Sequence, residues 1–366
     1  MLKKLKVKNF RSLKDFEIIF GKFNVLIGEN GCGKSNVLDC INFLRDGMDT
    51  NIYNAIEKRK IFEGYTDIVY AHNDNNIITI EVDAEIEGKC VKYTVSFSGK
   101  YGIVKIEEVF IKVDEHDIKI QSHEGNIYPD IGKYEASDEI KGYKGILTSF
   151  KKYISSIIQY DFNIPQIKRN AYSVYEKYTI EKNGWDTVQV LDTLHTAYGD
   201  VYNEISENFT DIYPSHNIVI IPKQAMRYIG VSEKIKENEI KTPATNISDG
   251  MIKAMCLLII LSTVKFFKKE YGADVPLFLF EEIENSLYPK TIWKILELMK
   301  ASETQIILTT HSPYILNHLE PEDVIIVKKG ENGTVAIKKP EKINDLINKY
   351  QWKIGDLWEM GDFDNL

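Results

Sequence analysis

Residues 28–35 read Gly28-Glu29-Asn30-Gly31-Cys32-Gly33-Lys34-Ser35. The spacing is G-x-x-x-x-G-K-[ST], a loop that cradles phosphate. An apolar, strand-like run precedes it, Phe23-Asn24-Val25-Leu26-Ile27. After it Val37, Leu38, Ile41 and Leu44 recur on one side of a helix. Strand, loop and helix are the context this motif requires. The glycines let backbone N–H groups turn inward around phosphate oxygens. Lys34 can reach β- and γ-phosphates, Ser35 can offer its hydroxyl to Mg²⁺, and the helix start adds the positive end of its dipole. The competing reading, a Gly-rich turn that binds nothing, explains neither flank.

Two distant segments point to the same chemistry. Val275-Pro276-Leu277-Phe278-Leu279-Phe280 has no interior charge and reads as a strand buried on both faces. Glu281 and Glu282 stand at its carboxyl end, where open parallel sheets place their ligands. One carboxylate suits a Mg²⁺ shell, and the next can orient or deprotonate an attacking water. Gln305-Ile306-Ile307-Leu308-Thr309-Thr310 reads as another buried strand, ending in His311-Ser312-Pro313. Read singly, the acidic pair is a solvated loop and His311 a satisfied loop histidine. Ser248-Asp249-Gly250 has its own logic. Ser248 can cap a helix, and Ala254, Leu257, Leu258, Leu261 and Val264 make that helix largely buried. A capped, buried helix with its N-terminus toward solvent suits an anion; the plain alternative is an ordinary capped core helix.

The order of these pieces resembles the ABC-type ATPase heads of the RecF/SMC/OLD group, and in particular the compact OLD-like ATPases. The resemblance covers nearly the whole chain. Leu5-Lys6-Val7-Lys8-Asn9-Phe10-Arg11-Ser12-Leu13 resembles the first strand and its "NFRS" turn, and Gly28–Ser35 the Walker A loop. Asn246-Ile247-Ser248-Asp249-Gly250-Met251 resembles the ABC signature, and Leu277–Glu282 Walker B with its catalytic glutamate. Glu284-Asn285-Ser286-Leu287 falls where the D-loop lies, and Thr310-His311-Ser312-Pro313 resembles the switch-histidine loop. Asn183-Gly184-Trp185-Asp186 followed by Leu191-Asp192-Thr193-Leu194 is similar to a stretch of compact OLD-like ATPases.

The resemblance implies an α/β P-loop NTPase: an ABC-ATPase-like head with a mixed sheet, an antiparallel β lobe and a helical insertion. It implies ATP and Mg²⁺ as cofactors. Nucleotide contacts fall to Arg11, Asn30, Gly31, Cys32, Gly33, Lys34, Ser35 and Asn36, with Mg²⁺ on Ser35 and Glu281. Glu282 becomes the catalytic base, aided by His311 and Lys34. Lys34, Ser35, Glu281, Glu282 and His311 are expected at one sheet edge. Ser248 and Gly250 are expected to act in trans, on ATP held by a second copy in a homodimer. Stand-alone heads of this kind work with a separate effector, a nuclease or toxin, in phage defence or DNA repair.

Departures from the pattern are specific. Walker B in the group ends Asp-Glu, whereas here it is Glu281-Glu282. The extra methylene moves the carboxylate about 1–1.5 Å outward, and Mg²⁺ demands near-octahedral geometry, so the hydrolysis rate is left open. The group's common His-Pro becomes Tyr288-Pro289. No glutamine suits a Q-loop, whose region is Gly64–Asn73.

Composition bounds the rest. The chain has 366 residues, 43% hydrophobic, with net charge −8. That length exceeds one simple core, so a large domain with an insertion or two lobes is expected. The acidic balance argues against broad coating by nucleic acid. Four scattered cysteines (Cys32, Cys40, Cys90, Cys256) show no metal spacing and no disulfide framework. A thiol inside the phosphate loop suits a reducing, cytoplasmic setting. The N-terminus lacks a signal peptide's apolar core, and the longest apolar stretch is too short to span a bilayer. No membrane partner is expected.

The chain reads as three stretches: 1–112, with Walker A and antiparallel strands; 113–215, mainly a helical insertion or lid; and 216–366, with signature, Walker B and switch histidine. Ile146, Phe150, Tyr153, Ile154 and Ile157 recur at helix spacing, as do Val188, Val190, Leu191, Leu194 and Tyr198. An insertion of about a hundred residues, interrupted by Pro165, Gly184 and Gly199, excludes a long coiled-coil arm. About 50 residues follow Tyr314, too few for the Toprim domain of full OLD nucleases, so the acidic end Asp356–Asp364 reads as a fold-completing tail. Lys4, Lys6 and Lys8 alternate on one strand face; Lys168-Arg169, Lys265, Lys268-Lys269 and Lys338-Lys339 are further basic clusters. They are either solvated lysines or a weak, salt-sensitive DNA strip. Two functions stay open: an ATP-hydrolysing switch that opens and closes a sandwich dimer, and a nucleotide-gated scaffold that holds an effector with little hydrolysis.

Overall fold

Strand β1 (Leu2–Phe10) starts a run of fifteen strands among the described residues. It is followed by β2 (Leu13–Ile19), β3 (Phe23–Ile27), β4 (Ile78–Ile86), β5 (Lys89–Lys100), β6 (Ile103–Val113), β7 (His116–Lys119) and β8 (Ile158–Tyr160). Then come β9 (His216–Lys223), β10 (Met226–Ile235), β11 (Asn238–Pro243), β12 (Phe278–Phe280), β13 (Ile306–Thr310), β14 (Val324–Gly330) and β15 (Gly333–Ile337). The structure, a computed structural model, describes residues 1–100, 103–119, 142–171, 176–271, 277–331, 333–361 and 363, with backbone alone for 118–119 and 267–271. Val275, Pro276, Asp362 and Asp364, and the side chains of Lys268 and Lys269, all named above, lie outside it. The chain divides into two compact units: Met1–Ile157, Gln305–His311 and Leu319–Leu366 form the first, Ile158–Thr304 and Ser312–His318 the second.

The first unit holds two sheets. One is antiparallel throughout, in the order β2-β1-β4-β5-β6-β7. Its strands alternate as the sequence dictates: Ile78, Ile80, Val82 and Ala84 turn inward, and the residues between them are less buried. In β1, Leu5 and Val7 are buried while Lys4, Lys6 and Lys8 occupy the other face, and Lys4 is paired with Glu17 at 2.9 Å. In the other sheet the order is β15-β14-β3-β13, with β14 and β13 both parallel to β3. Every residue of β3 and β13 is buried, as a strand covered on both faces requires. Phe10, Phe43 and Phe97 pack ring against ring between the helix Lys34–Asp49 and the antiparallel sheet. Buried Gln305 ties the start of β13 to β1: its amide donates to Leu2 O and Gly21 O, both at 2.7 Å, and Tyr153 donates to its Oε1 at 3.0 Å. The helix carrying Tyr153 runs Lys144–Ser155, so Ile157 falls just beyond it.

A tight turn precedes β4. The Asp67 carboxylate accepts backbone N–H groups from Ile61, Phe62, Glu63 and Gly64 at 2.9–3.0 Å. Desolvation works to raise this carboxyl, and the four donors outweigh it, holding the pKa at about 2. The hold is therefore complete above the ordinary value of 3.8 and is lost as pH falls through about 2. Asp67→Ala should expose amides 61–64 to exchange roughly tenfold faster or more, measured by hydrogen exchange at neutral pH. Unchanged exchange would mean that the turn is held by other contacts.

The second unit is mainly helical. β8 and β12 pair in parallel, and β9, β10 and β11 form a three-stranded antiparallel sheet. In the 23-residue helix Asp249–Tyr271 the apolar run Ala254–Ile260 is at most 2% exposed on every side. It packs against the helices Gly199–Ile212 and Pro289–Ala301. A helical stretch without a polar face belongs in a core. Among the described residues no helix is long and apolar enough to cross a membrane. Asp186, fully buried, accepts the Glu181 N–H and pairs with Lys177 at 2.6 Å, which fixes the turn into the helix Thr187–Ala197.

Candidate functional site

In the first unit, β3 ends at Ile27 and the phosphate loop begins. Gly28 lies against β14 so closely that a Cβ there would come within 2.0 Å of Val327 O. Gly33 has φ +109, and its Cβ would meet Thr334 Oγ1 at 2.3 Å and Ser12 Oγ at 2.7 Å. Any side chain at either glycine would break the cradle. Gly31, at φ +74, has open space on its Cβ side. The helix Lys34–Asp49 starts directly from Gly33, with no acidic residue in its first turn to offset the dipole. Lys34 is buried, and its ammonium donates to Gly28 O at 2.8 Å and Glu29 O at 3.0 Å, which draws the charge over the loop. This cradle, lysine and exposed helix start fit a phosphate chain, and Ser35 at the second helical position presents the hydroxyl type that Mg²⁺ takes beside phosphate.

A hydroxyl relay braces the loop from outside. Thr334 at the start of β15 donates to Cys32 O at 2.8 Å. Its only proton is then used, so Ser12 donates to Thr334 Oγ1 at 2.7 Å, and Asn36 Nδ2 donates to Ser12 Oγ at 2.7 Å. Arg11, with φ 48, is turned to pair with Asp39 Oδ2 at 2.7 Å. Asp39 also takes Arg59, which reaches Asp46 at 2.9 Å. Burial works to raise the Asp46 carboxyl, but Lys58, Arg45 and Arg59 overcome it and hold it below the usual aspartate value. The register Thr310↔Ile27 brings His311 out of β13 level with Gly28. Arg11, residues 30–36 and His311 are thus gathered within one unit. Trp358 and Phe363 of the tail reach the loop as well, lining a 380 Å³ cavity with Glu29, Asn30, Cys32 and Lys328.

In the second unit, β12 delivers Glu281 and Glu282. Glu281 is exposed, and Gln159 Nε2 donates to its Oε2 at 3.4 Å. Glu282 sits at φ 44, a left-handed conformation that is costly for a side chain of this kind. Asn285 steadies it, donating its N–H to Glu282 O at 3.1 Å and its amide to Oε2 at 2.8 Å. Ser248 caps the helix Asp249–Tyr271, accepting the Met251 N–H at 3.3 Å, and is exposed. Gly250 is buried, and a Cβ there would stand 2.3 Å from Ser286 O, so only glycine fits. Ser248, Gly250, Glu281 and Glu282 are thus gathered within the second unit.

Sequence reading missed the supports. Thr334 stands 302 residues from the carbonyl it holds, and no local pattern marks it. Lys168, read above as part of a basic cluster, donates to Ile247 O at 2.5 Å and pairs with Asp249 at 2.6 Å, bracing the start of the signature helix. Among the described residues no group of three or more His, Cys, Asp or Glu side chains could hold a metal, and the four cysteines are free.

The profile of the family described as "AAA domain, putative AbiEii toxin, Type IV TA system" matches residues 23–317. The Old nuclease of Escherichia phage P2 is 24% identical over 94% of this chain and 62% of its own length. The OLD nuclease of Thermus scotoductus is 20% identical over 92% of this chain and 64% of its own. The chain thus spans a little over three fifths of each. Among solved structures, an SMC head bound to the C-terminal winged-helix domain of ScpA superposes with a TM-score of 0.60 at 17% identity, covering 93% of this chain and 98% of that one. That likeness is one of fold: an α/β P-loop ATPase head with mixed and antiparallel sheets. Loop, strand order and family profile agree, and the chain belongs to this family of AAA domains, as an ABC-ATPase-like member of the OLD/SMC/RecF group.

Proposed function

We propose that the chain binds MgATP on residues 28–36, hydrolyses it, and closes as a two-fold sandwich dimer. The observation that supports this best is the loop itself. Its two tightly packed glycines, the lysine drawn over it and a helix start with no acidic residue in its first turn suit a triphosphate. Lys34 supplies positive charge, Arg11 adds to it from its pair with Asp39, and backbone N–H groups within residues 30–36 donate to phosphate oxygens. Ser35 and Glu281 would hold Mg²⁺, which would supply charge neutralisation on the phosphate oxygens. Glu282 takes the proton of the attacking water, and His311 positions the terminal phosphate. Ser248 and Gly250 serve the site of a second copy, so each of two identical sites needs both chains. The reading includes a DNA-linked role, in phage defence or repair, with a separate nuclease or toxin as effector. Lys6 and Lys8 on the open face of β1 suit weak, salt-sensitive DNA contact.

One observation favours a second reading, a nucleotide-gated scaffold with little hydrolysis. Glu281 stands where the group has aspartate, and its longer carboxylate is engaged by Gln159. Steady-state ATP turnover with Mg²⁺ separates the two. The dimer is tested by light scattering: ATP should close it and ADP should not. Ser248→Arg puts bulk at the closing contact and leaves Lys34 and its loop intact. It should bind ATP as a single copy, with turnover near background. Closure and turnover indifferent to both nucleotide and substitution would refute the shared site, even with a working phosphate loop.

A further inference from the structure

We propose that Lys253 is a positioning residue for Glu282, acting through the turn Glu282–Leu287. This rests on the reading above that Glu282 is the base. Lys253 lies one turn into the helix Asp249–Tyr271, and its ammonium donates to Asn285 O at 2.9 Å. The same Asn285 holds Glu282 at two points, through its N–H to the carbonyl and its side-chain amide to Oε2. Gly250, three residues earlier on the same helix face, meets the turn again at Ser286 O. Two residues of this turn, Glu282 and Ser286, have left-handed backbone, with φ 44 and 68. Strain of that kind persists only where the surroundings over-determine it. Lys253 and Gly250 are those surroundings: one grips a carbonyl, the other allows the helix to approach.

Lys253 is half-buried, and the groups facing it are Glu284 and Glu282 on the turn and Asp161 after β8. Burial lowers its pKa to about 8, against the pull of those three carboxylates. The grip is therefore strongest while the lysine is protonated, and weakens as pH rises through about 8.

The test compares wild type, Lys253→Met and Lys253→Arg. Met keeps the length without charge or donor; Arg keeps both at every pH. Lys253→Met should leave ATP affinity by calorimetry unchanged, lower turnover roughly 10–100-fold, and speed amide exchange at residues 283–287. Wild-type turnover should fall as pH rises through about 8. Lys253→Arg should retain slow exchange and turnover, and lack that alkaline limb. Exchange at 283–287 unchanged in Lys253→Met overturns the inference, whatever the turnover. So does a loss of ATP affinity and melting temperature in step with turnover, which marks a merely structural lysine. A wild type without turnover whose exchange still responds to Lys253→Met defeats the hydrolysis reading and leaves the grip standing.

Discussion

Lys34→Ala should weaken MgATP binding by at least about 100-fold, since charge-assisted contacts to phosphate worth about 3 kcal/mol or more are removed. Lys34 is buried among backbone carbonyls, donating to Gly28 O and Glu29 O. Its removal therefore strips positive charge from the loop and also frees the loop's own carbonyls. Lys34→Met separates the two effects, because it fills similar space without the ammonium. Both variants should lose affinity by isothermal calorimetry, and Lys34→Met should keep the wild-type melting temperature. Wild-type affinity in both would sink the phosphate-loop reading, however well the glycines pack. Retained ATP binding at tenfold lower affinity would place most of the phosphate recognition on the backbone N–H groups instead.

The second large effect is expected at Glu282. Glu282→Gln removes a base and keeps a carbonyl oxygen, which can still accept the Asn285 side-chain amide. The turn should stay in place, ATP should bind, and turnover should fall about 10²–10⁴-fold. Bound ATP would then accumulate in the closed dimer. Glu281→Gln is the control. Glu281 is exposed and meets Gln159, so its loss should act through Mg²⁺ dependence rather than through the base. Hydrolysis stopped by Glu281→Gln and spared by Glu282→Gln would reverse the two roles.

Much of the fold was legible because its signals are local. The run Phe23–Ile27, the glycine spacing and the helical recurrence of Val37, Leu38 and Ile41 sit within about twenty residues of one another, and the structure forms β3, loop and helix there. Strand β4 carries an equally local signal, the alternation of Ile78, Ile80, Val82 and Ala84. What stayed hidden acts across the chain. Ser12, Asn36 and Thr334 form a relay only once β15 lies beside the β1–β2 turn, and a lone threonine in a lysine-rich segment carries no mark of that. Lys168 and Lys253 looked like two more charges in a chain rich in them. Burial and a carbonyl partner set them apart, and neither is visible until the elements are packed. The missing Q-loop glutamine is a different case: Asp67, within 64–73, instead ties down the backbone of 61–64, through donors that no side-chain pattern announces.

The parallel pairing of β3 bears on how the protein is made. β3 is translated well before its neighbours: β13 follows about 280 residues later and β14 about 300. At about 5–20 residues per second that interval lasts about 15–60 s. Throughout it, Phe23–Ile27 has two unpaired strand edges and the phosphate loop has no Thr334 to brace it. The nascent chain is then without a finished nucleotide site until residues 324–337, which form β14 and β15, have emerged. Loss of those residues by a premature stop should yield a product that chaperones hold and proteases clear, rather than a partly active ATPase.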